Sequence, residues 1–147
     1  MFIHENVFGD LDLKTLNENG KRYYITPAGE KYPSVTTILS NYKKEGIIKK
    51  FTLDLDKKKL GKNFLAIMLV SVDYKTLREL KKDQHKMAKE ISFLPEVESV
   101  DVVTGGTDMV VRVRVKDVQE YDHFLLKKFQ NLPGVDRTQS LVVIHER

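Results

Sequence analysis

The chain has 147 residues, 41% of them hydrophobic and 31% charged, with a formal net charge of +4. That length allows one ordinary domain, or one of about 80 residues with a smaller appendage. Cysteine is absent, which excludes disulfides and thiolate metal sites and fits a reducing cytoplasm. No run of about 18 apolar residues exists, so no membrane partner is expected, and Met1 to Glu5 lack the basic and apolar regions of a secretory signal.

In chain order, the first 45 residues carry six Lys/Arg against six Asp/Glu. Arg22 to Thr26 is strand-like, Pro27 to Glu30 is a turn, and Lys31-Tyr32 resumes an extended run. Pro33 to Glu45 reads as a helix with proline in its first turn. Tyr23, Tyr24, Tyr32 and Tyr42 lie among basic residues, and two roles fit them: stacking on nucleic acid bases, or a small core for a hairpin and helix. The whole positive excess sits in residues 46–64, where six lysines face Asp54 and Asp56. This stretch reads as a basic linker strand, either a solvated, lysine-protected edge or a tracker of phosphates.

Residues 65–147 hold thirteen charges of each sign and a repeated pattern. Leu65 to Val72 is an apolar run, with no alternation from Ala66 to Val70, so this strand is expected to be covered on both faces. Asp73 is placed to cap a helix whose apolar stripe is Leu77, Leu80, Met87, Ala88 and Ile91. Leu94-Pro95-Glu96-Val97 follows, then a strand over Ser99 to Val103 and a turn at Gly105-Gly106. Val111, Val113 and Val115 alternate with Arg112 and Arg114 in the next strand. Asp117-x-x-Glu120 is a capping box for a helix burying Val118, Tyr121, Leu125 and Phe129. Leu132-Pro133-Gly134-Val135 repeats the earlier tetrapeptide, and Leu141 to Ile144 closes the sheet. Strand, helix, Leu-Pro-x-Val, strand, twice over, predicts an α+β, ferredoxin-like βαββαβ sandwich.

Both helices of such a sandwich cover one face of the sheet. The other face needs a cover, either residues 1–60 or a second copy of the same sheet; the two-fold homodimer is the favoured expectation. Met68 is the position where a charge is expected to break it.

From Gly46-Ile47-Ile48-Lys49-Lys50-Phe51-Thr52 to the C-terminus the chain resembles the Lrp/AsnC, or feast/famine, transcriptional regulators. The likeness rests on that heptapeptide, on Leu55 to Gly61, on Val103-Thr104-Gly105-Gly106-Thr107-Asp108, and on Leu132-Pro133-Gly134-Val135 with Arg137-Thr138. It implies a C-terminal effector-binding RAM domain that dimerises through its sheets, assembles into higher oligomers and senses an amino acid. The family's Thr-Gly-x-Tyr-Asp-like loop corresponds to Thr104, Gly105, Gly106, Thr107 and Asp108, with Thr107 where an aromatic is common. Amides beside glycine would receive the effector's carboxylate and Asp108 its ammonium, with Thr138 and Ser140 as hydroxyl partners. A plain hairpin turn and an ordinary strand-end charge are the alternatives for Gly105-Gly106 and Asp108.

A family regulator places a helix-turn-helix before Gly46. The helix ending at Glu45 aligns with its reading helix, but Pro27, Gly29 and Pro33 exclude the usual preceding helix. Residues 1–45 therefore read as a hairpin-plus-helix region that replaces or degrades a helix-turn-helix. Asn41 is the helix's one residue suited to base edges, so direct readout is expected to be poor. Lys43, Lys44, Lys49 and Lys50 are the candidate DNA contacts. Residues 19–40, with Pro33-Ser34-Val35-Thr36-Thr37, are also similar to the opening of phage-type PD-(D/E)XK exonucleases, which implies a chimera without the nuclease's catalytic residues. His4, His85, His123 and His145 are scattered, and no nucleotide loop or nucleophile elbow occurs. No enzyme activity, metal or cofactor is expected. The readings are an amino-acid-sensing, DNA-binding regulator and a ligand-binding oligomerisation module without specific DNA binding.

Overall fold

The computed structural model describes residues 11–147, and the chain divides into two units between Asp54 and Leu55. In the first unit, β1 (Lys14–Glu18), β2 (Lys21–Ile25) and β3 (Lys31–Tyr32) form an antiparallel sheet in that order. The extended run at Lys14 was not anticipated. Helix α1 (Val35–Lys44) follows, its first turn capped by Ser34, whose side chain accepts from the Thr37 amide at 3.2 Å. Ile38 and Leu39 are its buried residues. Tyr24 pairs with Tyr32 across the sheet, and the Tyr32 hydroxyl accepts from Asn41 Nδ2 of α1 at 2.6 Å. For Tyr32 the hairpin-and-helix role therefore applies.

The linker strand expected over 46–64 does not form: residues 46–63 are turns and irregular backbone, and only Phe64 joins a strand. Phe51, Leu53 and Leu55 alternate as a strand would, but among the described residues no segment pairs with them. An unpaired strand leaves its ladder donors and acceptors to water and gains nothing over an irregular path. Leu53 stands 82% exposed.

In the second unit, β4 (Phe64–Val72), β5 (Val97–Val102), β6 (Met109–Val115) and β7 (Val135–Val142) make one antiparallel sheet in the order β5-β6-β4-β7. This is the ferredoxin-like arrangement, with two strand–helix–strand halves interleaved. Each Leu-Pro-x-Val segment turns the chain from a helix into a strand in the same way. Val97 N–H donates to Leu94 O at 3.0 Å, and Val135 N–H to Leu132 O at 3.3 Å.

The first helix is two. α2 (Tyr74–Glu79), capped by Asp73, and α3 (Gln84–Ser92), capped by Asp83, are separated at Lys81, whose φ is +54°. Lys82 N–H donates to Leu77 O at 2.9 Å, closing α2 with a left-handed residue, a role that periodicity alone does not reveal. Leu80 consequently leaves the apolar stripe. In the second half, α4 (Val118–His123) runs into a π-helical segment, Phe124–Phe129. Phe124 and Phe129, five residues apart, would diverge on an α-helix; the wider π turn brings both into the core, with ring centroids 5.8 Å apart. Half of the expected capping box is present, Asp117 Oδ1 accepting from Glu120 N–H at 2.9 Å; Glu120 Oε2 reaches back past the cap residue and accepts from Lys116 N–H at 2.7 Å. Val118 lies outside the core, 55% exposed.

Expected burial of β4 on both faces needs correction. Ala66, Met68, Val70 and Val72 sink into the core with Met109, Val111, Val113 and Val115 of β6 and the helices. Ile67 and Leu69 are only partly covered. Register places them beside Arg112 and Val110 of β6 and Leu141 and Gln139 of β7, on the face away from the helices. Met68 is thus a core residue and not a dimer-face residue. That open face also bears a charge cluster. Glu146 Oε1 accepts from Arg112 at 3.1 Å and from Arg114 at 2.7 Å, and Glu98 accepts from both arginines. Arg114 is only 7% exposed. Hydrogen bonding from Arg114 holds the Glu146 carboxyl below its ordinary range. A depressed folded-state value contributes stability that is present above the unfolded value and lost as pH falls through the folded one. Glu146→Gln should therefore flatten the acid limb of a stability-against-pH profile recorded from pH about 5 downward. A limb unchanged by the substitution would mean the cluster contributes nothing.

Candidate functional site

The turn between β5 and β6 is built from both sides of β4. The Asp108 amide donates to Val70 O at 2.9 Å, and Asp108 O accepts from the Val103 amide at 2.9 Å. The β4–β6 ladder ends at Val70, opposite Met109, so the Val72 amide, on the same edge of β4 as Val70, has no strand to pair with. The Val72 amide is taken up by Asp108 Oδ2 at 2.9 Å. Asp108 Oδ1 accepts from the Tyr74 hydroxyl at 2.7 Å and from Gln84 Nε2 at 3.2 Å. Gln84 Nε2 also donates to the Tyr74 hydroxyl oxygen at 2.5 Å. Asp108 is thus neither isolated nor a loose strand-end charge. Its hydrogen bond with Asp108 raises the Tyr74 hydroxyl above the usual tyrosine range.

Thr104, Gly105 and Gly106 are exposed, and Thr107 is half-buried beside Asp108. Gly105 has φ +130°, with open space where a side chain would begin. Backbone conformation, not packing, is what calls for glycine there. Thr138 sits on β7 opposite Val70, the residue that also holds the Asp108 amide, so one strand separates the two. Ser140 lies two residues further along, opposite Met68, and its hydroxyl is hydrogen-bonded to that of Tyr121. The structure therefore brings Thr104 to Asp108 together, sets Thr138 one strand away, and ties Ser140 to α4. Tyr74 and Gln84 were not among the residues singled out from sequence. Nothing in the spacing of Asp73-Tyr74 or Asp83-Gln84 marks them, because their convergence depends on the break at Lys81.

The four candidate DNA contacts fall in the first unit. Lys43 and Lys44 end α1, and Lys43 Nζ donates to the backbone oxygen of Lys49 at 2.5 Å. This folds the segment carrying Lys49 and Lys50 back toward the helix end. Directly before α1 this unit has the sheet β1 to β3, where a helix-turn-helix would place another helix. Among the described residues no group of three or more His, Asp or Glu is placed to hold a metal ion, and no helix is long and apolar enough to cross a membrane.

Residues 65–147 match the family model of the Lrp/AsnC ligand binding domain. The chain belongs to the Lrp/AsnC family. The family and its relatives are transcriptional regulators and not enzymes. The HTH-type transcriptional regulator FL11 of Pyrococcus horikoshii is 30% identical to this Lrp/AsnC chain, over 90% of the chain and 84% of the relative. A transcriptional regulator from Neisseria meningitidis, crystallised with L-Met, is 26% identical with a TM-score of 0.66, covering 78% of this chain and 71% of that one. AsnC of E. coli shares the fold, with a TM-score of 0.64 at 21% identity, over 76% of this chain and 70% of that one. The similarity of residues 19–40 to phage exonucleases gains no support from these comparisons.

Proposed function

We propose that this Lrp/AsnC protein is a cytoplasmic transcriptional regulator whose C-terminal unit binds a free amino acid and assembles through its sheet. The observation that carries the proposal is the family ligand-binding domain over residues 65–147, joined to the turn Thr104 to Asp108. A carboxylate at Asp108, open amides at Gly105-Gly106 and the nearby Thr138 hydroxyl suit a zwitterion. The related regulator crystallised with L-Met supports an amino acid as the class of effector. Ser140 is the weakest member of the set, because Tyr121 already engages its hydroxyl.

For assembly, the open sheet face offers Ile67, Leu69, Val110 and Leu141 beside a charge cluster of two arginines and two glutamates. The cluster is internally neutral, so a second copy would meet aliphatic side chains and no uncompensated charge. Such a homodimer would be the unit from which higher oligomers form. Ligand bound between dimers would then shift the population of assemblies and the way DNA is engaged.

DNA engagement is assigned to Lys43, Lys44, Lys49 and Lys50, acting on phosphates. Binding to mixed DNA fragments, titrated with salt, tests this. A steep salt slope that falls by about four when all four lysines become alanine is expected. The second reading, a ligand-binding oligomerisation module without specific DNA binding, is favoured by the sheet β1 to β3 that directly precedes α1. No binding at low salt by a folded oligomer would select it.

A further inference from the structure

We propose that Tyr74 and Gln84 read the effector's carboxylate, through an exchange of hydrogen-bond partners at Asp108; this rests on the turn being the amino-acid site. Three side chains from separate elements converge here: Asp108 before β6, Tyr74 at the start of α2 and Gln84 at the start of α3. Within the triad, Asp108 Oδ1 accepts from both Tyr74 at 2.7 Å and Gln84 at 3.2 Å. Oδ2 is held by the Val72 amide at 2.9 Å, just beyond the last β4–β6 pair. Oδ1 is therefore the oxygen whose partners can change. Tyr74 is about half exposed, so the triad opens to solvent and not into the core.

An ammonium group carries three donors and a charge that a tyrosine hydroxyl or an amide lacks. Taking Oδ1, it releases the Tyr74 O–H and a Gln84 N–H. Those two donors then need an acceptor, and a carboxylate one carbon from the ammonium supplies it. Every group in the triad is satisfied before and after the exchange, provided that the ligand carries both charges. An amine without the carboxylate leaves those two donors to water, a weaker acceptor than a carboxylate. A carboxylic acid without the ammonium has nothing with which to displace them. The triad thus selects α-amino acids over their decarboxylated and deaminated counterparts, whatever the side chain.

The test uses the full chain, titrated calorimetrically with the twenty proteinogenic L-amino acids. The tightest binder is then compared with its decarboxylated amine and its deaminated acid. The unmodified protein should prefer the amino acid over either by about tenfold or more. Tyr74→Phe and Gln84→Ala should each weaken the amino acid by about tenfold without weakening the amine, for which each variant removes a competitor at Oδ1. A merely structural role for the two residues would weaken amino acid and amine alike, with a lowered melting temperature, and would overturn the inference. So would wild-type affinity in both variants while Asp108→Asn abolishes binding, a result that leaves the turn as the effector site. If Asp108→Asn also binds normally, or no amino acid binds the unmodified protein, the site assignment itself fails and the inference with it.

Discussion

Replacing Gly134 by alanine should cost the C-terminal unit about 3 kcal/mol, an effect measurable as a fall in the denaturation midpoint. Two causes act together. Gly134 has φ +102°, and a β-carbon added there would lie 2.6 Å from Leu77 Cδ2 and 3.4 Å from Met87 Sδ. Leu77 and Met87 are core residues of α2 and α3, so neither can retreat without disturbing the layer above the sheet. The residue also has a binding role, since Gly134 O accepts from the Asp73 amide at 2.8 Å. Asp73 in turn caps α2, accepting from the Lys75 amide at 3.0 Å and from the Thr76 hydroxyl at 2.7 Å. One glycine thus joins the second half of the fold to the first helix of the first half. The equivalent position of the first tetrapeptide is Glu96, whose carboxylate pairs with Lys128. There the fold already accommodates a side chain, 14% exposed, and Glu96→Ala, which adds no atom, should be tolerated far better. Equal losses at Gly134 and Glu96 would contradict this packing.

Adjacent residues on β4 should respond in opposite ways to a negative charge. Met68→Glu places a carboxylate where the side chain is fully buried among Val70, Val111 and the helices. Without a partner it should cost about 3–5 kcal/mol, giving unfolded or insoluble protein. Leu69→Glu, on the open face, should leave the melting transition of the unit nearly intact and shift the molar mass in solution from dimer to monomer. Light scattering on the purified variants reads the difference. A folded Leu69→Glu dimer would place the interface elsewhere, and a folded Met68→Glu would contradict the packing of β4.

The same strand explains how far the sequence could be read. The order of elements was legible because each half repeats one signal, apolar strand, capped helix, Leu-Pro-x-Val, strand. Asp73 and the Asp117/Glu120 pair act as caps because capping is local chemistry. What was illegible depends on tertiary neighbours. Ala66 to Val70 is apolar throughout, so its letters do not say which side faces the helices; that follows from its register with β6 and β7. Lys81 ends α2 in a left-handed conformation without a glycine to announce it, and with that break went any hint of Tyr74 and Gln84. Phe51, Leu53 and Leu55 carry a strand's alternation but have no partner strand among the described residues. In the candidate site, the turn Thr104 to Asp108 was legible from its resemblance to a family loop. The internal bonds of Asp108 were not, because the Val72 amide is left to it only by where the β4–β6 ladder ends.

Binding of a free amino acid at the turn should be visible in a melting-temperature screen of the full chain against the twenty L-amino acids. At least one should raise the melting temperature of the C-terminal unit in proportion to the logarithm of its concentration, and the rise should vanish in Asp108→Asn. No shift with any of them, from a protein that melts cooperatively, would contradict it.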